Sequence, residues 1–433
     1  MKIPEILLVE SLHKPGSLAR VLTVIGDEGL VIEHLNAVRR DGEKTVWEIT
    51  LELDMDDARG LIEKIDALPN ARVLGKSDRV FNRHEGGKVR MTSRLPIATL
   101  QELRDIYTPG VARVCLAIRD EPALARRYTG VAHTVGIITN GTAILGLGDI
   151  GPLAGLPVME GKAALMARMA DLSGIPVLID EKDPGRLVEA IAAVAPSFGA
   201  IQLEDIAAPA CFAVEDALRA RLDIPVLHDD QHGTAVVILA ALISAARRVG
   251  LDIQKSVIGQ IGLGAAGIGI ARLLKAFGAR SVLGTDLNED AMRRLESMGG
   301  TRTDLAGLMA QADVVIATTG KKGLIDPALV RPGQLVFALS NPDPEIEPED
   351  AMERGAAFAA DGKSINNVLG FPGLFRGALD ARARAFTDGM LFAAARAISD
   401  AAPEGELVPS PLDRAMHDAV ALAVCQAAGG KKT

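Results

Sequence analysis

The chain has 433 residues, 48% hydrophobic and 24% charged, which is enough apolar material for two to four domains and unlike a disordered or fibrous protein. Forty-seven Lys and Arg face 56 Asp and Glu, and a net charge of −9 with one Trp, two Tyr and ten Phe argues against a nucleic-acid binder, whether by a basic face or by stacking. Cys115, Cys211 and Cys425 show no CxxC spacing, the N-terminal residues lack a signal-peptide pattern, and no apolar run reaches about 18 residues, so the expectation is a cytoplasmic protein with free thiols and no membrane segment.

Residues 1–80 alternate strand and helix signals. Ile6–Ser11 reads as a strand, and the turn His13-Lys14-Pro15-Gly16-Ser17 ends in a Ser able to cap a helix. Leu18, Val21, Leu22 and Ile25 recur at helical spacing until Gly26 and Gly29 stop them. Val31–Arg39 and Thr45–Leu53 alternate across a tight Asp41-Gly42 turn and predict a hairpin. Asp56–Leu68 predicts a second helix and Ala71–Leu74 a last strand, giving the ferredoxin-like order βαββαβ.

This segment resembles an ACT domain, through Lys14-Pro15-Gly16-Ser17-Leu18-Ala19 after the first strand and the Gly29-Leu30-Val31-Ile32 entry to the second. The resemblance implies pairing between copies and an amino acid or other small effector near the Gly16 turn, or else a module for assembly alone. Residues 81–95 read as a linker, since the run around His84-Glu85-Gly86-Gly87-Lys88 is polar. Two α/β domains are expected at 96–230 and 231–385, and an Ala-rich helical tail at 386–433.

Val257–Ile261 is a strand that runs into Gly262-Leu263-Gly264-Ala265-Ala266-Gly267 and then a helix. Gly262 permits the tight turn, Gly264 admits a pyrophosphate and Gly267 lets helix and strand pack closely, with free N–H groups at the helix start facing phosphate. A second strand, Ser281–Thr285, ends in Asp286, whose carboxylate suits the ribose hydroxyls of NAD and repels the 2′-phosphate of NADP; Asp286 as a turn cap, or Arg293 and Arg294 as phosphate ligands, would leave NADP open. Strands at Asp313–Thr318 and Leu335–Ser340 extend a doubly wound, Rossmann-type sheet.

Two acidic pairs follow short apolar strands, Glu204-Asp205 and Asp229-Asp230. Carboxylates gathered at strand ends must share protons or a cation, and their hard oxygens suit Mg²⁺ or Mn²⁺. Solvated loop acids or helix caps are the alternative reading, and His228 with His232 would be a poor zinc pair without a Cys partner.

Tyr107-Thr108-Pro109-Gly110-Val111-Ala112, the block Gly141 to Pro152, Val158-Met159-Glu160-Gly161-Lys162, Leu203-Glu204-Asp205-Ile206, His228 to Ala235, Ser340-Asn341-Pro342 and Asn366-Asn367-Val368 form a long ordered set. Through them the run from about residue 84 to 385 resembles the malic enzymes of the smaller bacterial type. It implies Glu204, Asp205 and Asp230 as ligands of the divalent metal, Tyr107 and Lys162 as an acid/base pair with Asp229 beside them, and Asn341 and Asn367 holding substrate carboxylates or the nicotinamide amide. The implied activity is oxidative decarboxylation of L-malate to pyruvate and CO₂ by a homo-oligomer. A malolactic-type or other 2-hydroxy-diacid dehydrogenase, and an ACT-linked sensor with a degenerate catalytic domain, are the competing readings. For the Lys to accept a proton, burial or a neighbouring cation must lower its pKa from about 10. The chain departs from the family at Asn140, where Asp is usual before Gly141-Thr142.

Overall fold

A computed structural model describes residues 3–53, 58–77, 79–145, 147–341, 343–363 and 365–430. These fall into two compact units, Met1–Lys88 and Val89–Thr433.

The first unit runs β1 (Ile3–Leu12), helix Ser17–Asp27, β2 (Ile32–Asp41), β3 (Lys44–Leu53), helix Ala58–Asp66, β4 (Ala71–Lys76) and helix Arg79–His84. Its sheet is antiparallel in the order β2-β3-β1-β4, the ferredoxin-like arrangement. Strand periodicity puts Leu7 and Val9 of β1 on the face that also carries Ile49 and Leu51, where Val21, Ile25, Leu61 and Ile65 of the two helices close the core. The first helix passes through Gly26 to Asp27 and stops before Gly29, whose φ of 69° suits glycine. The predicted helix start at Asp56 lies outside the described residues. The stretch read as a linker begins inside helix Arg79–His84, and Arg79, just before it, pairs with the buried Glu48 of β3 at 2.6 Å. A carboxylate in that position needs a cation, which ties the segment to the sheet.

The second unit holds two parallel sheets. The first consists of β5 (Thr134–Thr139), β6 (Ser173–Leu178), β7 (Ala200–Leu203) and β8 (Val226–His228), in the order β6-β5-β7-β8. The second consists of β9 (Val257–Ile261), β10 (Ser281–Thr285), β11 (Thr301–Arg302), β12 (Val314–Ala317), β13 (Leu335–Ala338) and β14 (Phe358–Asp361). Its order, β11-β10-β9-β12-β13-β14, is that of the doubly wound dinucleotide fold, and the winding reverses between β9 and β12.

Helix Asp229–Val249 leaves β8 and links the two sheets, so the expected boundary at 230/231 falls in its first turn. It is long and apolar enough to cross a membrane, yet 72% of its most apolar stretch is buried inside this unit, as a core helix requires. The tail is equally integral. Helices Asp388–Asp400 and Arg414–Ala427 bury Ile398, Val420 and Val424 in the same core, and Ser399 meets Ser244 of the linking helix at 2.9 Å.

Candidate active site

Parallel pairing of β7 and β8 sets Leu203 opposite His228, so the acidic pairs that follow each strand emerge side by side at the carboxyl end of the sheet. Ligand oxygens of Glu204, Asp205 and Asp230 lie within 4.8 Å of one another. Asp229 and Asp230 form the first turn of helix Asp229–Val249, where the helix dipole favours negative charge. Asp205 adopts the left-handed φ of 53°, uncommon for a non-glycine residue, and its N–H donates to Asp230 Oδ2 at 3.0 Å.

The cluster is short of positive charge. Burial, reinforced by Asp230 and Glu204, pushes the Asp205 carboxyl up to about 8. Burial likewise takes Asp230 to about 6, against the pull of Lys162, and raises Glu204. Asp205 Oδ2 and Asp229 Oδ1 are buried with no hydrogen-bond partner among the described residues. Three convergent carboxylates, one with an orphaned oxygen, fit a hard divalent cation. The helix-cap alternative does not apply to Asp230, because the capping position is His228 and no side chain caps the helix. Nor do the histidines form a zinc pair: His228 Nδ1 is engaged by Gln231 Nε2 at 3.1 Å and His232 Nε2 by Glu215 at 2.9 Å.

Lys162 projects from helix Pro152–Ala170 into this cluster, 2.5 Å from Asp229 Oδ2, 3.0 Å from Glu204 Oε1 and 4.5 Å from the centre of the Phe371 ring. Burial acts to lower its pKa, but Asp229 and Glu204 outweigh burial and raise it above the ordinary lysine value. Of the two routes expected to lower it, burial is outweighed, because the carboxylates hold the proton on; the route through a neighbouring cation remains. Asp229 is in turn fixed by Asn367, whose Nδ2 donates to its Oδ2 at 2.7 Å, and by Gly233, where a Cβ would sit 1.9 Å from Asp229 Oδ1. Asn367 thus uses one of its two amide hydrogens on Asp229 and keeps the other.

Tyr107 follows helix Leu100–Ile106, is 68% exposed, and its hydroxyl makes no hydrogen bond among the described residues. Asn140 is buried and well matched: its Nδ2 donates to Glu181 O at 3.1 Å and its Oδ1 accepts from Thr142 at 2.7 Å. An Asp could supply only the second of these bonds. Gly146 of the same block and Pro342 of the later one lie outside the described residues.

The nucleotide cleft opens where the larger sheet reverses. Gly262 has φ 85°, and a Cβ on Gly267 would come within 1.9 Å of Gly262 O, so the turn and the helix Ala265–Phe277 fit only around glycines. Asp286 braces the turn, Oδ2 accepting from Leu263 N at 2.6 Å and Oδ1 from Asn288 N at 2.8 Å. A cavity of about 630 Å³ is lined by Gly262, Gly264, Asp286, Leu287, Thr318 and Lys321. Arg293 pairs with Asp290, and Arg294 lies over the Phe212 ring at 4.1 Å, so both arginines are engaged away from this cavity. Asn341, exposed at the end of β13, donates to Gly362 O at 3.3 Å.

Sequence reading missed Lys321, and also the buried Glu345. That carboxylate accepts from Thr319 N at 2.6 Å and Ser340 Oγ at 2.5 Å, binding together the loops after β12 and β13. Nothing in local periodicity marks it; its position three residues beyond Pro342 was the available signal.

A Rossmann-type sheet with an open nucleotide cleft, joined by one helix to a parallel sheet whose carboxyl end gathers four carboxylates around a helix-borne lysine, defines a nucleotide-linked oxidoreductase. Residues 87–187 match the malic enzyme N-terminal domain, and residues 228–323 match the NAD-binding domain of D-isomer specific 2-hydroxyacid dehydrogenases. The chain is 51% identical to NAD-dependent malic enzyme 1 of Bacillus subtilis, over 98% of this chain and 97% of that one. It is 39% identical to NAD-dependent malic enzyme of Geobacillus stearothermophilus, over 95% and 91%. The solved malic enzyme of Pyrococcus horikoshii superposes with a TM-score of 0.77 at 38% identity, covering 81% of this chain and 90% of that one. The chain belongs to the malic enzyme family.

Proposed function

We propose that this protein oxidises and decarboxylates L-malate to pyruvate and CO₂ while reducing NAD, with Glu204, Asp205 and Asp230 holding Mg²⁺ or Mn²⁺. One observation carries the reading: Lys162 is buried between Asp229 and Glu204 at the edge of a carboxylate cluster that lacks countercharge. A cation there supplies a Lewis acid for the C2 oxygen and for the charge that develops as CO₂ leaves.

The protein's own groups have separate tasks. Lys162 takes the proton of the C2 hydroxyl through Nζ while C2 gives up hydride to the nicotinamide. To do so it must first be neutral, which follows once the charge on Glu204 and its neighbours is compensated. Asp229, clamped by Asn367 and Gly233, aims that amine. When the C3–C4 bond breaks, its electron pair moves toward C2, and Tyr107 delivers a proton to C3. The Gly262–Gly267 turn receives the pyrophosphate; Asp286 braces that turn but keeps a second lone pair on each oxygen for the ribose hydroxyls, and its charge disfavours NADP; Asn341 borders the nicotinamide side.

The division of labour we assign is 1–80 for an ACT-like regulatory module binding an amino acid or other small effector at the Gly16 turn, 96–230 for substrate and 231–385 for nucleotide. We also assign a cytoplasmic homo-oligomer. Helices Leu100–Ile106 and Val111–Asp120 bury no residue, and Leu100, Leu103, Ile106 and Leu116 are exposed beside Tyr107. Contiguous apolar surface of this kind is usually covered by a partner. Sedimentation as a monomer at micromolar concentration would remove that part.

The activity is tested by mixing the protein with L-malate, Mn²⁺ and NAD or NADP, and following reduced cofactor and CO₂ together. Equal amounts of both, with NAD preferred, are expected. Reduced cofactor without CO₂ would sink decarboxylation, and full turnover in excess EDTA would sink the metal. Repeating the assay across the amino acids tests the effector.

A further inference from the structure

The loop that follows β5 carries a polar clamp to which the proposed reaction gives no task. β5 pairs in parallel with β7, Ile138 opposite Leu203, so residues 140–143 leave the sheet beside residues 204–207. Asn140 is 3% exposed and fixed through both ends of its amide: Nδ2 donates to Glu181 O at 3.1 Å, and Oδ1 accepts from Thr142 Oγ1 at 2.7 Å. With its hydrogen given to Asn140, the Thr142 hydroxyl can only accept from its other neighbour, and it accepts from Ala207 N at 3.0 Å. The next residue, Ala143, donates its N–H to Asp205 O at 3.0 Å. Two consecutive residues therefore grip the other loop at Asp205 and at Ala207.

What they grip is the left-handed turn at Asp205, where φ is 53°. A non-glycine residue keeps such a backbone only where its surroundings over-determine it. Here they do. The N–H of Asp205 is taken by Asp230 Oδ2 at 3.0 Å, its carbonyl by Ala143, and the amide two residues on by Thr142. The backbone sets where the carboxylate points, and in this conformation a ligand oxygen of Asp205 lies within 4.8 Å of those of Glu204 and Asp230. Without the Thr142 hydroxyl, Ala207 N–H loses its acceptor and one of the three restraints on the turn is gone. Residue 205 is then free to relax toward a commoner conformation, which carries its carboxylate away from the other two.

We infer that Thr142 is a positioning residue for the divalent-cation site: its hydroxyl, oriented by Asn140, acts with Ala143 N–H to hold Asp205 in the backbone conformation that aims its carboxylate at the cation. The inference rests on the cation reading given above. Hydrogen-bonded supports of metal ligands are worth about 10- to 100-fold in metal affinity.

Two measurements test it. The first follows hydrogen–deuterium exchange of the unaltered protein by mass spectrometry. Peptides containing Ala143 and Ala207 should exchange slowly without metal and more slowly with Mn²⁺ bound. Exchange at the rate of an unstructured chain, or exchange that Mn²⁺ leaves unchanged, would overturn the inference. The second titrates Mn²⁺ by the electron paramagnetic resonance of the free ion. Thr142→Val, which keeps the shape and removes the hydroxyl, should bind Mn²⁺ about 10-fold or more weakly. Thr142→Ser, which keeps the hydroxyl, should recover most of the loss. NADH binding, followed by its fluorescence, should be unchanged in both. Wild-type Mn²⁺ affinity in Thr142→Val would overturn the inference, and so would a serine variant as weak as the valine one with NADH binding intact. If the valine variant loses NADH binding as well, the exchange of the unaltered protein decides. Failure of the wild-type protein to bind Mn²⁺ would overturn the cation reading itself, a result distinct from any difference among variants.

Discussion

Lys162 Nζ lies 2.5 Å from Asp229 Oδ2 in a setting where Lys162 is 8% and Asp229 0% exposed. A buried pair of this kind is not a device for stability, because desolvating both ions cancels much of their attraction. Its use is geometric: the lysine has one place to be, between Asp229 and Glu204. Lys162→Ala should lower turnover by about 10²- to 10⁴-fold, the usual worth of a positioned acid or base. It should also destabilise the metal-free protein by roughly 3–5 kcal/mol, since the acids around it lose their cation. Steady-state assay and denaturant unfolding in EDTA measure the two effects, and unchanged turnover would remove Lys162 from the mechanism.

The carboxylate cluster predicts an unusual pH dependence for the metal-free protein. Asp205 titrates at about 8 and Asp230 at about 6 in the folded state, both raised from 3.8. Between pH 4 and 8 the folded chain therefore holds protons that the unfolded chain has released. Stability contributed by these groups is full below about pH 4 and is lost as pH rises through 6 and 8. Lys162, raised from 10.5, does not titrate in that window. A divalent cation stabilises the ionised forms, so the increase in Tm on adding Mn²⁺ should be larger at pH 8 than at pH 5. Equal increases at both would show that the cation binds elsewhere.

Gly233→Ala should act on chemistry more than on binding. Its Cβ would collide with Asp229 Oδ1 at 1.9 Å, and Asp229 must move or the first turn of the helix must open. The expected result is a fall in kcat of at least tenfold with the affinity for NADH intact, read from kinetics alongside NADH fluorescence.

Asp286→Ala removes the acceptor for Leu263 N–H and Asn288 N–H as well as the proposed ribose contact. Hydrogen bonds to a charged group are worth about 1.5–3 kcal/mol each, so NADH affinity should fall by at least about tenfold. Mn²⁺ affinity should not change, because the two sites are built on different sheets. Calorimetric titration of each ligand distinguishes the outcomes.

Tyr107→Phe separates catalysis from folding. The hydroxyl has no partner among the described residues and the ring is 68% exposed, so stability should stay within about 0.5 kcal/mol. Pyruvate formation should fall about 10²-fold or more if Tyr107 protonates C3. A variant with full activity would assign the proton to another group.

Much of this molecule was legible in short stretches of sequence. The turn from Gly262 to Gly267 follows from backbone sterics, the alternation around Asp41-Gly42 from strand geometry, and the likeness of Glu204-Asp205 and Asp229-Asp230 to metal ligands from charge density, because each depends on neighbours within a few residues. Relationships across long separations needed the fold. Only the parallel register of β7 and β8 brings the two acidic pairs together, and only helix Pro152–Ala170 delivers Lys162 between them. The same packing gave Asn367 to Asp229 and bound Glu345 to the loops after β12 and β13. It also set the balance at Lys162: desolvation depends on one residue's depth, but the carboxylates that outweigh it, Glu204 and Asp229, lie 42 and 67 positions away along the chain.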